Sequence, residues 1–358
     1  MIFILDARDP GTVLDWLGGE RGRPIADRVR VVTYQELLRT SWLSAETCIF
    51  GDLETLSPSL RRVAASAWDA AGDAGVRRLN DPRRVPGRYE LLRRLHALGR
   101  SDFSAYRLDE LPAPLRYPVF VRREQEHDGA LTGLLADESE LGQALRSLAW
   151  PRTRHRSDDL LVVEYCDSST PEGLYLRLSA LRIGEAIVPR YYTFSSDWVV
   201  KADRRRVDEA IAALEYRYVT TNPDRGWIHE TFDVAEVDYG RLDYGIASGR
   251  RQAWEINTNP SLGRRVRSSP RSMELTPDQR ALLEPGIRHA HAAVRSALVE
   301  LDATSRPAQR FTLRIPPAVR WRHHAEQLLR LADKARRAAG AATVGAALRR
   351  FESRVATV

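Results

Sequence analysis

The chain has 358 residues, 43% of them apolar, with 19 prolines and 22 glycines, which is too long for one core and too apolar for a disordered chain, so two or three globular units are expected. No uncharged apolar stretch approaches the roughly 20 residues that span a bilayer, and Met1 to Leu5 run straight into Asp6, Arg8 and Asp9, so neither a membrane span nor a secretory signal is expected. The net charge of +7 comes from the tail: residues 305 to 358 carry 12 Arg and Lys against 3 acids, and the rest is near neutral.

The first 80 residues alternate strand-length apolar runs with helical ones. Ile2 to Leu5, Val29 to Val32 and Cys48 to Phe50 read as strands, and Thr12 to Leu17, Gln35 to Leu43 and Leu60 to Ala71 as helices, the rhythm of a parallel α/β sheet. No Gly-x-Gly-x-x-Gly supports a dinucleotide site. After Asn80-Asp81-Pro82 a helix is expected from Arg88 to Leu98, a strand over Tyr117 to Arg122, and a helix over Glu138 to Leu148 capped by Asp137. Leu160 to Cys166 is the most strand-like run, Leu174 to Leu181 and Ala186 to Tyr192 extend a meander, and a helix is expected over Asp203 to Arg217. Asp278 to Leu301 is a long helix. The tail resumes as helices near 318 to 338 and 342 to 354.

The most informative segment is Arg241 to Asn257. Folded about Gly249, it becomes a hairpin in which Asp243 faces Glu255 and Arg241 faces Asn257, and the period of two puts all four on one side. Leu242, Tyr244, Ile246, Trp254 and Ile256 take the other. Two opposed carboxylates destabilise a sheet, so something positive must stand between them. Asp, Glu and an Asn carbonyl form the oxygen set that Mg²⁺ prefers, with substrate phosphates completing the shell. A solvated polar face neutralised by Arg241 fits the same spacing.

Arg241-x-Asp243 followed by Glu255-x-Asn257-x-x-Pro260 resembles the metal-binding end of the ATP-grasp superfamily of carboxylate-amine ligases. Upstream pieces come in that family's order: Asn80-x-Pro82 with the Arg88 helix, the strand Tyr117 to Arg122, a small loop at Gly129, the hinge-like Val162-Val163-Glu164-Tyr165-Cys166, and Asp197-Trp198-Val199-Val200-Lys201, resembling a strand that ends in a phosphate-binding lysine. The resemblance spans residues 80 to 262. It implies an α/β (α+β) architecture with an N-terminal α/β domain (1–79), a central nucleotide-binding unit (80–166), a metal-bearing unit (167–304) and a basic helical tail (305–358).

The resemblance further implies ATP and Mg²⁺, or Mn²⁺, as cofactors, with Asp243, Glu255 and Asn257 on the metal. Arg122 and its helical companion Arg88 would meet the α- or β-phosphate, although the family usually has lysine at both places. Lys201, one of only two lysines in the chain, would meet the γ-phosphate as a compact point charge, and Arg241 a phosphate or acyl-phosphate. Tyr165 and Cys166 would recognise adenine through their backbone, Glu164 through its carbonyl or side chain, and Asp167 or Glu172 would take the ribose. In the loop Glu124 to Gly129 three acids argue against a plain glycine cradle, and His127 reads as an exposed histidine.

The implied reaction is amide or peptide bond formation through an acyl-phosphate, with release of ADP and phosphate. Arg177, Arg190 and Arg264 are candidates for holding a substrate carboxylate. A small-metabolite kinase, and a nucleotide-binding protein that recruits an acidic partner, are the other classes this scaffold allows.

Other chemistry is excluded. Cys48 and Cys166 support neither a disulfide framework nor a zinc site and suit a reducing cytoplasm; Cys166 reads as a pocket-lining apolar residue. His289-x-His291 and His323-His324 point to different sides of a helix. His229 lacks the second histidine of a zincin but precedes the metal strands, which places it by the cleft. In the tail, Trp321, Ala325, Leu328, Ala332, Ala335 and Ala339 form an amphipathic stripe, expected to pack on the body or to dock an acidic protein, peptide or anionic membrane surface; nucleic acid fits poorly and a homodimer is compatible.

Overall fold

The computed structural model describes residues 1–112, 114–125, 129–148, 159–200, 205–263, 275–303 and 307–338. Helices and sheets are mixed throughout, as the α/β reading requires. The N-terminal unit comprises β1 (Ile2–Leu5), α1 (Gly11–Gly18), β2 (Arg30–Thr33), α2 (Tyr34–Leu37), β3 (Trp42–Ala45), β4 (Thr47–Phe50), α3 (Pro58–Asp73) and β5 (Arg77–Leu79). Its four-stranded sheet runs β2-β1-β4-β5, all parallel. β1 and β4 are buried at every position, which is why they read as unbroken apolar runs rather than alternating ones.

The helix expected over Gln35 to Leu43 is cut short. A capping box between Thr33 and Glu36 starts α2, but the helix ends at Leu37. Trp42 to Ala45 extend instead, because β14 (Gln309–Thr312) pairs with them antiparallel. The tail therefore begins with a strand sewn to the N-terminal unit and continues as α9 (Pro317–Ala338). The expected helix at 342 to 354 lies outside the described residues.

The central unit contains α4 (Arg88–Ala97), β6 (Ala105–Arg107), β7 (Val119–Arg123), α5 (Glu138–Leu148) and β8 (Leu160–Glu164), with an antiparallel sheet β6-β8-β7. The next unit supplies β9 (Tyr175–Ile183), β10 (Ala186–Ser195), β11 (Arg205–Arg206), α6 (Glu209–Thr221), α7 (Arg225–Val234), β12 (Tyr239–Ala247) and β13 (Arg250–Asn257), in the sheet order β11-β10-β9-β12-β13. α6 starts later than expected because Asp208 caps it through the Ile211 amide. α7 was not foreseen. α8 (Pro277–Ala303) closes the body as expected.

Even-numbered residues of β9 and β12, among them Leu176, Leu178, Leu242 and Tyr244, pack with Tyr218 and Val219 of α6 and Ile228 and Phe232 of α7. Odd-numbered positions of these two strands face away from those helices. At one end of the sheet that second face is also covered: Leu181, Ile183 and Tyr239 share a core with Phe3, Leu5, Trp16 and Leu298. Further along the strands it is left to the central unit.

Asn80 stitches these units together. Its Nδ2 donates to the carbonyls of Phe50 (2.9 Å) and Tyr239 (2.7 Å), and its Oδ1 accepts from the amides of Asp238 (2.8 Å) and Tyr239 (2.9 Å). The residue is fully buried, at φ 68°, a conformation Asn tolerates better than most. Asn80→Ala strands several backbone groups at once, so a loss of about 3 kcal/mol is expected, read as a lower denaturant midpoint with unchanged slope.

Candidate active site

β12 and β13 are joined by Ser248 and Gly249, both at positive φ (48° and 75°), the requirement of a two-residue hairpin turn with the native twist. Arg241 pairs with Asn257 and Asp243 with Glu255, the expected register. Between Asp243 and Tyr244 the register slips by one, leaving Trp254 as the extra residue of a bulge. A Cβ on Gly245 would fall 2.3 Å from the Trp254 ring. The indole therefore lies over Gly245, two positions from Asp243 and on its face, not on the apolar side where strict alternation puts it.

Across the sheet, Glu255, Asp243, Ser179 and Tyr191 occupy neighbouring strands in one row. The positive charge that the opposed carboxylates need comes from four arginines. Arg241 grips Asp243 with two bonds (2.9 and 3.2 Å), and Arg177 of β9 stands 3.9 Å from the same carboxylate. Glu255 is held by Arg88 at 2.9 Å and Arg122 at 3.3 Å. These two come from α4 and β7, so the central unit delivers its cations to the hairpin of the other sheet. Burial, with Arg88 alongside, pulls the Arg122 guanidinium down to about 10. Arg88 is fixed further by the carbonyls of Arg123 (3.2 Å) and Glu124 (2.8 Å).

Asn257 Oδ1 accepts from the Asn259 amide at 2.8 Å, which aims the side chain and leaves one lone pair. The strand end is pinned in turn to the N-terminal sheet: Asn259 Nδ2 donates to both oxygens of Asp52 (3.1 Å each) and to the Asp9 carbonyl (2.9 Å), and Thr258 Oγ1 accepts from Leu53 (3.0 Å). The crevice between β1 and β4, where open parallel sheets bind ligands, is thus filled by the protein's own loop. Among the described residues no cluster of three His, Cys, Asp or Glu could hold a metal. Two carboxylates and one amide oxygen fit Mg²⁺, which is commonly held by one or two carboxylates plus substrate phosphates.

The hinge departs from expectation. The Glu164 carboxylate turns away from the cleft to the Ser104 amide (2.9 Å) and Arg116 (3.0 Å), and the Tyr165 amide donates to the Pro118 carbonyl (2.9 Å). Neither group is available to a base as assembled. Cys166 is half-buried and packs, like Phe120 and Trp254, against the cluster of Leu92, Phe103, Ala105, Leu161 and Val163, and burial pushes its thiol up to about 11, which suits a lining residue rather than a nucleophile. Asp167 accepts from the Ser169 amide (2.9 Å) and the Tyr165 hydroxyl (3.1 Å).

No strand forms over 197 to 200. Asp197 accepts from the Val199 amide (3.0 Å), and Trp198 packs on Phe120 and Tyr165 at ring separations of 5.1 and 5.9 Å. Lys201, His127 and Arg264 lie outside the described residues. Arg190 is buried; one Nη donates to the Leu262 carbonyl (2.8 Å) and the other has no partner among the described residues. His229 is not beside the cleft: it sits on α7, behind the sheet, with Asp233 at 3.0 Å and Glu185 at 3.4 Å. Sequence reasoning missed Trp198 and misplaced Trp254, for which Gly245 was the available signal.

No protein-family model matches the chain, and no curated protein matches it. Solved structures similar in chain path include D-alanine–D-alanine ligase from Bacillus anthracis complexed with ATP, at 12% identity and TM-score 0.46, covering 84% of this chain and 98% of that one. The ATP-grasp ligase PsnB, complexed with a variant of its minimal precursor, Mg and ADP, is similar at 11% identity and TM-score 0.44, covering 80% and 97%. L-amino acid ligase from Bacillus licheniformis is similar at 10% identity and TM-score 0.44, covering 86% and 75%.

Proposed function

We propose that this chain is an ATP-grasp enzyme, an ATP-dependent carboxylate-amine ligase that joins its substrates through an acyl-phosphate and releases ADP and phosphate. The observation that carries the reading is the convergence on Glu255: a hairpin with three hard oxygen donors on one face meets Arg88 and Arg122, brought from a second sheet. A protein that only needed to neutralise its acids would not require cations from another unit.

In this reading Asp243, Glu255 and Asn257 hold Mg²⁺, which supplies charge compensation as a phosphoryl group leaves. Arg88 and Arg122 exchange Glu255 for the α- or β-phosphate oxygens, and Lys201 meets the γ-phosphate. Trp254, Phe120 and Cys166 give the base an apolar surface between the sheets. With the Tyr165 amide spent, the backbone of Cys166 takes the base edge and Asp167 the ribose. Arg241, Arg177 and Arg190 orient an anionic acceptor, a role favoured by the unpartnered Nη of Arg190.

The test is a screen of amino acids, small dicarboxylates and peptides for ADP release with Mg-ATP, repeated with hydroxylamine. A ligase gives ADP only when an acid is present and converts that acid to a hydroxamate. ADP release driven by a hydroxyl compound, with no hydroxamate, would assign a kinase instead. A protein that Mg-ATP fails to stabilise against heat would end the reading.

A further inference from the structure

Helix α9 buries only part of the stripe that its sequence presents. It meets α3 through His323 and Glu326, whose side chains reach the Ser59 hydroxyl at 3.2 and 2.5 Å, and Ala325 of the stripe is buried. Of the rest, Trp321 is 48% exposed, Leu328 50% and Leu331 61%. Spacings of seven and three residues place these three along one line of the helix. Packing on the body therefore explains one side of α9 and leaves these three side chains exposed among the described residues.

Over residues 317–332 the outward charges have one sign. Arg320, Arg322 and Arg330 lie there, while the one acid of that stretch, Glu326, is turned to Ser59. Arg320 also donates to the carbonyl of Leu38 at 2.5 Å. Four residues further on is Trp42, likewise 48% exposed, with Arg310 stacked 4.1 Å from its ring. The patch thus combines exposed Trp and Leu with arginines, the composition of helices that lie in a membrane interface. A second copy of the chain would set these arginines against their own kind across a two-fold contact. No helix of the described residues is long and apolar enough to cross a membrane.

We infer that α9 docks the protein on an anionic lipid surface, lying in the plane with Trp321, Leu328 and Leu331 at the headgroup boundary and the arginines on phosphate headgroups. The attachment is peripheral. Each cation near such a surface adds to binding, so attachment is salt-sensitive. It is independent of the catalytic reading, because none of these residues belongs to the cleft.

The experiment is co-sedimentation of the full chain with extruded vesicles of phosphatidylcholine alone, or with about 30 mol % phosphatidylglycerol. Expected is binding to the anionic vesicles only, with a blue shift of tryptophan emission and at least about tenfold weaker binding in 0.5 M salt. The triple variant Trp321→Ser, Leu328→Gln, Leu331→Gln should lose at least about tenfold in binding, with an unchanged thermal midpoint showing that it folds. Failure of wild type to bind the anionic vesicles overturns the inference, as does equal binding by the variant. Concentration-dependent dimerisation that the variant abolishes, without vesicle binding, would assign the stripe to a second copy, and capture by an acidic polypeptide but not by vesicles would assign it to a protein partner.

Discussion

Glu255→Gln is expected to eliminate Mg-ATP turnover, by at least about a hundredfold, while making the protein a better receptor for metal-free polyphosphate. The substitution keeps the shape and removes one charge. In the free protein that charge is shared by Arg88 and Arg122, whose side chains are only 4% and 12% exposed. Two arginines left facing a neutral amide repel each other, and breaking such a buried arrangement costs about 3 to 5 kcal/mol. The variant should therefore unfold at lower denaturant concentration than wild type. Pyrophosphate without magnesium supplies the missing negative charge and should restore much of that loss, stabilising the variant more than wild type. Wild type must first give up its Arg–Glu pairs; the variant need not. Turnover retained by the variant would remove Glu255 from the metal site. Loss of turnover without the altered pyrophosphate response would leave the metal role standing and remove the phosphate role of the arginines.

What could be read in advance was what depends on near neighbours. The parallel N-terminal sheet and the facing pairs Arg241 with Asn257 and Asp243 with Glu255 follow from apolar runs and a period of two anchored at Gly249, and both appear in the fold. The failures come from distant partners. Trp42 and Leu43 look like the end of a helix until β14, more than 260 positions away, is known to lie beside them. Glu164 looks like a cleft residue until Ser104 and Arg116 claim its carboxylate. Asp197 to Lys201 are expected as a strand from the family resemblance, yet over 197 to 200 the Asp197 side chain ties the backbone into a turn and Trp198 finds Phe120 on the other sheet. Arg88 and Arg122 were expected at phosphates, but nothing local indicates that both would rest on Glu255 in the free protein. Electrostatics across units is decided by the assembled fold.

Gly245→Ala should couple to Trp254 as no other position can. The added Cβ would meet the indole at 2.3 Å and the Leu176 carbonyl oxygen at 3.1 Å, so the ring has to leave its place over the strand. Overpacking of this kind costs about 1 to 3 kcal/mol. The displaced ring also leaves the buried cluster of Leu92, Phe103, Ala105, Leu161 and Val163, against which Phe120 and Cys166 pack as well, the apolar surface proposed for the nucleotide base. Nucleotide affinity should therefore fall about tenfold or more, whereas turnover at saturating Mg-ATP changes less, because Asp243 and Glu255 lie on the other side of the bulge. Trp254→Ala alone opens a cavity and weakens nucleotide binding to a similar extent. Combining the two should cost less than the sum, since alanine at 254 removes the ring with which alanine at 245 collides, and the coupling should amount to about 1 kcal/mol or more. Strictly additive losses, in stability and in nucleotide affinity alike, would mean that the indole does not occupy the space over Gly245, and the apolar wall proposed for the base would lose its principal member.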